Sequence, residues 1–224
     1  DSSSPTVRVG FTGGKIKHPF RLYSLKKVYN ESEIESEFTI KTPKLDGANL
    51  SLTYNEDGSF RHTLTRGDGE YGEDVSHLVD FISCCVSHLS NPTGKIITFV
   101  GEVVTDKNVD NFRNFVSGSL GVKNAEDISD RGLRFITHDV LGLEHNYLDR
   151  ISYAHDEGFI SPFNWVCDDY PQDGIVYRSP EYKREKLLGH TSKYPRFAVA
   201  LKVRAAMTAV TTIQEIVWNL GRTG

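Results

Sequence analysis

The stretch Leu50-Ser51-Leu52-Thr53-Tyr54-Asn55-Glu56-Asp57-Gly58-Ser59-Phe60-Arg61-His62-Thr63-Leu64 decides how this chain folds. Leu50, Leu52 and Tyr54 alternate with polar neighbours, the two-residue period of a strand with one face buried. Asn55 to Gly58 supplies turn chemistry, and Phe60, His62 and Leu64 resume the alternation on the way back, which makes a β-hairpin. Its register depends on the loop. If the loop is Asn55 to Gly58, Tyr54 faces Ser59; if it is Asp57-Gly58 alone, the pairing moves by two. Arg66, just past the second strand, then lands opposite Gly47 or opposite Asn49. Backbone pairing alone delivers a distant cation beside the segment Lys44 to Gly47.

Outward from the hairpin, Val75, Leu78, Val79, Ile82, Val86 and Leu89 follow helical spacing behind Gly72-Glu73-Asp74, whose carboxylates suit a helix N-terminus. This predicts a helix that covers a sheet face. Ile96 to Val100 reads as a buried strand ending at Gly101-Glu102, and Arg134 to Val140 and Gly174 to Tyr177 read as two more. Phe197 to Val203 alternates again, with Lys202 on the face opposite Leu201 and Val203. The first twenty residues, with Pro5, Gly10, Gly13, Gly14 and Pro19, read as an extended lead-in, which leaves 21–224 as one domain. Antiparallel sheets interleaved with a few helices make an α+β fold.

Composition removes several classes. With 224 residues, 38% hydrophobic and 25% charged, the chain can bury a full core. No apolar run is long enough to cross a bilayer and the first residues are polar, so an intracellular, cytoplasmic protein without a membrane partner is expected. Cys84, Cys85 and Cys167 lack C-x-x-C spacing and are odd in number; this speaks against a zinc site or a disulfide framework and suggests buried thiols. A net charge of -4 argues weakly against nucleic acid as a partner, although an average hides local clusters.

The chemistry centres on Lys44-Leu45-Asp46-Gly47, placed just before a strand. A lysine is a nucleophile only as the neutral amine, so its pKa must fall from about 10.4 through desolvation or cationic neighbours. Arg66 and Lys202 are candidates for those neighbours. Attack on the α-phosphorus of a nucleotide would give a lysyl-adenylate, with Asp46 orienting amine or nucleotide and Gly47 letting backbone approach the ligand. Each residue also has a plainer reading: Lys44 as a solvated lysine, Asp46 and Asp173 as turn formers before glycine, Glu102 as a strand end, and Arg66, Arg113 and Lys202 as surface ion pairs.

What lifts the motif above those readings is the ordered series Lys44-Leu45-Asp46-Gly47, Thr65-Arg66-Gly67-Asp68-Gly69, Gly72-Glu73-Asp74, Val100-Gly101-Glu102, Asp173-Gly174-Ile175-Val176 and Ala200-Leu201-Lys202. The series resembles the nucleotidyltransferase motifs shared by DNA ligases, RNA ligases and mRNA capping enzymes. Within that superfamily it is most similar to the adenylation domain of NAD-dependent DNA ligases. The shared signatures include Asp1 to Gly10, His18-Pro19 with Leu22-Tyr23-Ser24-Leu25, Asn114 with Ser117-Gly118-Ser119-Leu120, and the terminal Gly221-Arg222-Thr223-Gly224. They span the whole chain.

The resemblance implies a ligase and capping-enzyme fold, ATP-grasp-like, with antiparallel sheets flanked by helices. It implies that Lys44 takes AMP from NAD, releasing nicotinamide mononucleotide, that AMP passes to the 5'-phosphate of nicked double-stranded DNA, and that the 3'-hydroxyl displaces it, with Mg2+ assisting. By motif position Lys44, Asp46, Glu102, Asp173 and Lys202 form the catalytic set. Glu102 would contact the ribose or support the metal, Asp173 would act as base or metal ligand, and Arg66, Arg113 and Lys202 would contact phosphate or sugar, Arg66 and Arg113 also nucleic acid. Thr42, Leu45, Gly47, His138, Val176 and Arg178 would complete the nucleotide subsite. Four positions depart from the family: Thr42 stands for a glutamate, His138 for the aromatic that stacks on adenine, Gly121 for an arginine and Arg178 for a lysine. These departures leave open a binding module that has lost its chemistry. An ATP-dependent polynucleotide ligase is a further alternative, against which the Asp1 to Gly10 and Thr65 to Gly69 signatures speak. A second chain, or flanking regions, is expected to supply the nicotinamide-binding and oligonucleotide-binding parts; the sequence is that of a cut-out domain or of one subunit of a split enzyme, viral or phage ones included.

Overall fold

A computed structural model describes residues 15–202 together with 212, 214 and 215. The signatures at Asp1 to Gly10 and Gly221 to Gly224 and the strand end at Val203 lie outside the described residues. The strands are β1 Lys15–Lys17, β2 Lys26–Val28, β3 Ile40–Leu45, β4 Ala48–Tyr54, β5 Phe60–Thr65, β6 Tyr71–Glu73, β7 Ile97–Thr105, β8 Leu133–Leu141, β9 Gln172–Arg178 and β10 Ala198–Leu201. The helices are α1 Phe112–Leu120, α2 Tyr147–Asp156 and α3 Tyr182–Leu188. The α+β reading is correct. One sheet runs β5-β4-β7-β8, a second runs β2-β10-β9-β3, and β1 pairs with β6 in a small third. Not every pairing is antiparallel, since β10 runs parallel to β2.

The first sheet holds the main core. Leu50, Leu52 and Tyr54 of β4, Phe99 and Val103 of β7 and Phe135 and Val140 of β8 bury one face against Leu78, Leu89, Val116 and Phe159. The hairpin forms with Leu50 opposite Thr65 and Thr53 opposite His62; a bulge between Thr53 and Tyr54 then brings Tyr54 opposite Phe60. That register carries Arg66 to the position across from Asn49, the second of the two expected. A longer loop reaches it, because the bulge absorbs the extra residue.

The helix expected over Val75 to Leu89 is a misreading. Only a 3-10 turn, Ser76–Phe81, forms there, and Cys84 takes a left-handed backbone, φ 65°, that a helix does not tolerate. The segment spends its hydrogen bonds on strand edges instead. Ser83 N donates to Leu133 O, Phe135 N to Ser83 O, and Leu89 N to Gly58 O, each at 2.9 Å. Val75, Leu78, Ile82 and Leu89 are buried all the same, so the apolar period marked the core and not the helix. β7 also runs past its expected end, which puts Glu102 in mid-strand. Of the thiols only Cys167 is buried; Cys84 and Cys85 are half-buried. No helix among the described residues is long and apolar enough to cross a membrane.

Candidate active site

The chain leaves the second sheet at the end of β3 and enters the first at the start of β4, with only Asp46 and Gly47 between. Lys44 therefore stands at the corner between two sheets. A cleft of about 680 Å³ opens there. It is lined by Thr42, Lys44, Leu45, Gly47, Arg66, Glu102, Arg113, His138, Asp173, Val176, Arg178 and Lys202, every candidate residue except Asp46. A second cavity of similar size, lined by Asp106, Phe112, Trp165 and Tyr170, contains none of them.

Asp173 organises the cationic side. Lys44 Nζ lies 3.0 and 3.3 Å from its two oxygens, and Lys202 Nζ donates to Asp173 Oδ2. Gly174 makes the second contact possible: its φ is +151°, and a Cβ there would lie 2.1 Å from Leu201 O. Only glycine lets β9 approach β10 closely enough to set Lys202 beside Asp173. Burial alone would raise the Asp173 carboxyl, but the hydrogen bonds from Lys202 and Lys44 outweigh it and hold the group below the ordinary carboxylate range. Lys202 is thus the cationic neighbour foreseen for Lys44. Arg66 points elsewhere, donating to Ser24 Oγ at 2.7 Å.

Glu102 closes the opposite wall. Its Oε1 accepts from Gly47 N at 3.1 Å. Burial pushes this carboxyl up to about 7, against the opposing pull of Lys44. Gly47 is also required by packing: a Cβ at this position would sit 1.9 Å from Val103 O of β7. Asp46 pairs with Arg113 of α1 at 3.3 Å, a half-exposed contact, while its own amide donates to Pro171 O.

The far end of the cleft is a neutral ring backed by buried charge. His138 Nε2 lies 3.2 Å from Asn49 Nδ2. Burial, then the nearby Arg178, pushes the imidazole down to about 4. His138 is half-buried and lines the cleft. Behind it Asp139 accepts from Arg150 at 3.1 Å and from Arg178 at 2.9 Å, and Arg150 grips Glu185 of α3 with two bonds of 2.9 and 3.0 Å. Burial would raise Asp139, but the two guanidinium groups hold it at about 2. Arg178, on the cleft wall, is committed to Asp139 and to the face of Tyr147, 4.1 Å away. Thr42 is buried beside Val176, and Leu45 packs with Val104, Ile136, Cys167 and Tyr170.

Several residues at the site carry no signature in the sequence. Asn49 is a polar residue at the start of β4, and Tyr147, Arg150 and Glu185 sit in helices α2 and α3. At the mouth Tyr23 stacks on His190 at 4.3 Å, below Arg21. Only Tyr23 belonged to a quoted motif.

Among the described residues no three His, Cys, Asp or Glu side chains stand close enough to hold a metal ion by themselves. Glu102 and Asp173 fit a magnesium ion only if phosphates and water complete its shell, the usual arrangement for that cation. Asp173 Oδ1 is buried and accepts no well-aligned hydrogen bond, its charge partner being the Lys44 ammonium at 3.0 Å.

Comparison with known proteins agrees with the motif series. The model of the NAD-dependent DNA ligase adenylation domain matches residues 12–159. The DNA ligase of a Nitratiruptor species is 30% identical, aligned with all of this chain and 42% of its own length. The DNA ligase of Sulfurimonas denitrificans is 32% identical, over 99% of this chain and again 42% of the relative. This chain thus spans less than half the length of the curated relatives it matches. Among solved structures, an RNA ligase from Naegleria gruberi with ATP and Mn aligns with 85% of this chain and 58% of its own, at 13% identity and a TM-score of 0.44, too distant to carry an argument. The match over 148 of 224 residues shows that the chain belongs to the family of NAD-dependent DNA ligase adenylation domains.

Proposed function

We propose that this chain forms a covalent adenylate on Lys44, with NAD as the AMP donor and nicotinamide mononucleotide as the leaving group, and passes the adenylate to the 5'-phosphate of nicked duplex DNA. The domain that does so is 21–224, with 1–20 as its lead-in, and nicotinamide-binding and oligonucleotide-binding regions work beside it. One observation carries this reading: Lys44 and Lys202 share Asp173 in a cleft that Glu102 also lines.

The arrangement divides the labour. Attack on the α-phosphorus requires Lys44 to lose a proton, and Asp173, 3.0 Å away, is the group placed to receive it. Lys202 is then free to face the negative charge that builds on the phosphoryl oxygens. Glu102, beside Gly47, faces the ribose. His138, Leu45 and Val176 enclose the base, with Thr42 and Arg178 behind them. Arg66 and Arg113, at the open side, meet phosphates of nucleotide or DNA. Glu102 and Asp173 are the residues that would hold a magnesium ion bound with the nucleotide, and the ion would supply charge neutralisation at phosphorus.

A module with lost chemistry is favoured by one observation: Arg178, in place of the family's lysine, has its guanidinium bonded to Asp139 rather than free toward the cleft. Intact mass separates the two. The purified chain, or the chain incubated with NAD and magnesium, is expected to carry one adenylate that nicotinamide mononucleotide removes, and Lys44→Ala to carry none. An unmodified chain under every condition, or an adduct that survives in Lys44→Ala, refutes the proposal.

A further inference from the structure

The ring assigned to the base is held by a residue that no motif singled out. Asn49 pairs with Glu102 across β4 and β7. Its Nδ2 donates to Gly101 O at 2.9 Å and stands 3.2 Å from His138 Nε2. The first contact decides which end of the amide is which, because a carbonyl oxygen only accepts. The NH2 group therefore also faces His138, so Nε2 accepts and the proton of the neutral ring is on Nδ1.

The main chain of His138 is fixed independently. Its carbonyl accepts from Tyr147 Oη at 2.9 Å, and the next residue, Asp139, is clamped by Arg150 and Arg178. With the backbone immobile, the freedom left to the side chain is rotation of the imidazole, and the Asn49 amide removes it. The Asn49 amide also acts on the neighbouring Glu102 carboxyl, which it pulls down, yet its Oδ1 is buried with no partner among the described residues. An apolar side chain would avoid that desolvation, so packing alone does not account for an amide here.

We infer that Asn49 is a positioning residue for base recognition, holding His138 as the neutral Nδ1–H tautomer with its ring set to receive the adenine of the bound nucleotide. The inference rests on the proposed reading of the cleft as an adenylate site. A ring free to turn would offer its edge instead of its face, and a ring that took a proton would place another cation beside Arg178. Either change weakens stacking without touching Lys44, Asp173 or Lys202.

The test uses the whole chain, freed of adenylate by nicotinamide mononucleotide, with AMP as the probe. Nitrogen-15 shifts of the His138 ring at neutral pH report the tautomer, calorimetry the AMP affinity and thermal unfolding the fold. In the wild type, Nδ1 is expected to be protonated and Nε2 bare. Asn49→Leu should mix the tautomers and weaken AMP binding by about three- to tenfold, the loss of one hydrogen bond, while the unfolding temperature stays level or rises. In a His138→Ala background, Asn49→Leu should weaken binding no further. An unchanged His138 spectrum in Asn49→Leu overturns the inference. So does AMP affinity that drops in His138→Ala but not in Asn49→Leu. If His138→Ala alone binds AMP as tightly as the wild type, the base platform itself is wrong and the inference falls with it.

Discussion

Glu102 is a carboxyl that the fold would rather keep neutral. Burial moves it up to about 7 from an ordinary value of 4.5, so the folded chain holds this proton more tightly than the unfolded chain does. Its contribution to stability is complete below pH 4.5 and is lost as pH climbs through 7. Glu102→Gln removes that loss: the metal-free variant should be more stable than the wild type at pH 8 by about 2 kcal/mol and converge with it near pH 4.5. Thermal unfolding across that range checks this, and parallel curves would refute it. At this scale the sequence was legible where chemistry dictates residue type. Lys44, Glu102, Asp173 and Lys202 were named from their motifs, and all four line one cleft. It was illegible where a role depends on what stands opposite. Nothing near Gly47 in the sequence reveals the carbonyl of Val103, and nothing near Asn49 reveals an imidazole 89 residues away.

Arg150 joins α2 to β8 and to α3 through Asp139 and Glu185, all with little access to water. Removing Arg150 strands the buried Glu185 and leaves Asp139 with Arg178 as its remaining cation, which costs more than the ion pairs themselves contribute. Arg150→Met is expected to lower stability by about 3 to 5 kcal/mol in denaturant titration. A loss below about 1 kcal/mol would mean the cluster is wetter than its burial indicates. The elements were legible to the extent that their period was local. The hairpin and the strands β7, β8, β9 and β10 were all anticipated, because alternation reports a half-buried face directly. The segment from Val75 to Leu89 was not, since its apolar spacing is shared by a helix and by an irregular strap whose amides bond to Leu133 and Gly58. The parallel partnership of β2 and β10 joins residues about 170 apart, beyond the reach of any local pattern.

The chain as a whole is acidic, at -4, yet its cleft is lined by Lys27, Lys44, Arg66, Arg113, Arg178 and Lys202. That contrast concentrates positive potential where phosphates would bind. The proposed reading places the nicotinamide half of NAD on a region beside this chain, which spans about 42% of its relatives' length. The 224-residue chain alone should become adenylated from NAD about a hundredfold more slowly than when mixed with the nicotinamide-binding region of a relative, followed by mass spectrometry over time. Equal rates would place that function within this chain. A different consequence follows from the strand order β2-β10-β9-β3. The last of the described strands to be synthesised is an inner member of its sheet, so a nascent chain that stops short of Ala198 exposes two raw edges, on β2 and on β9. Lys202 reaches Asp173 in the same event that seals those edges. Adding β10 therefore removes an aggregation hazard and brings the paired ammonium groups together in one stroke.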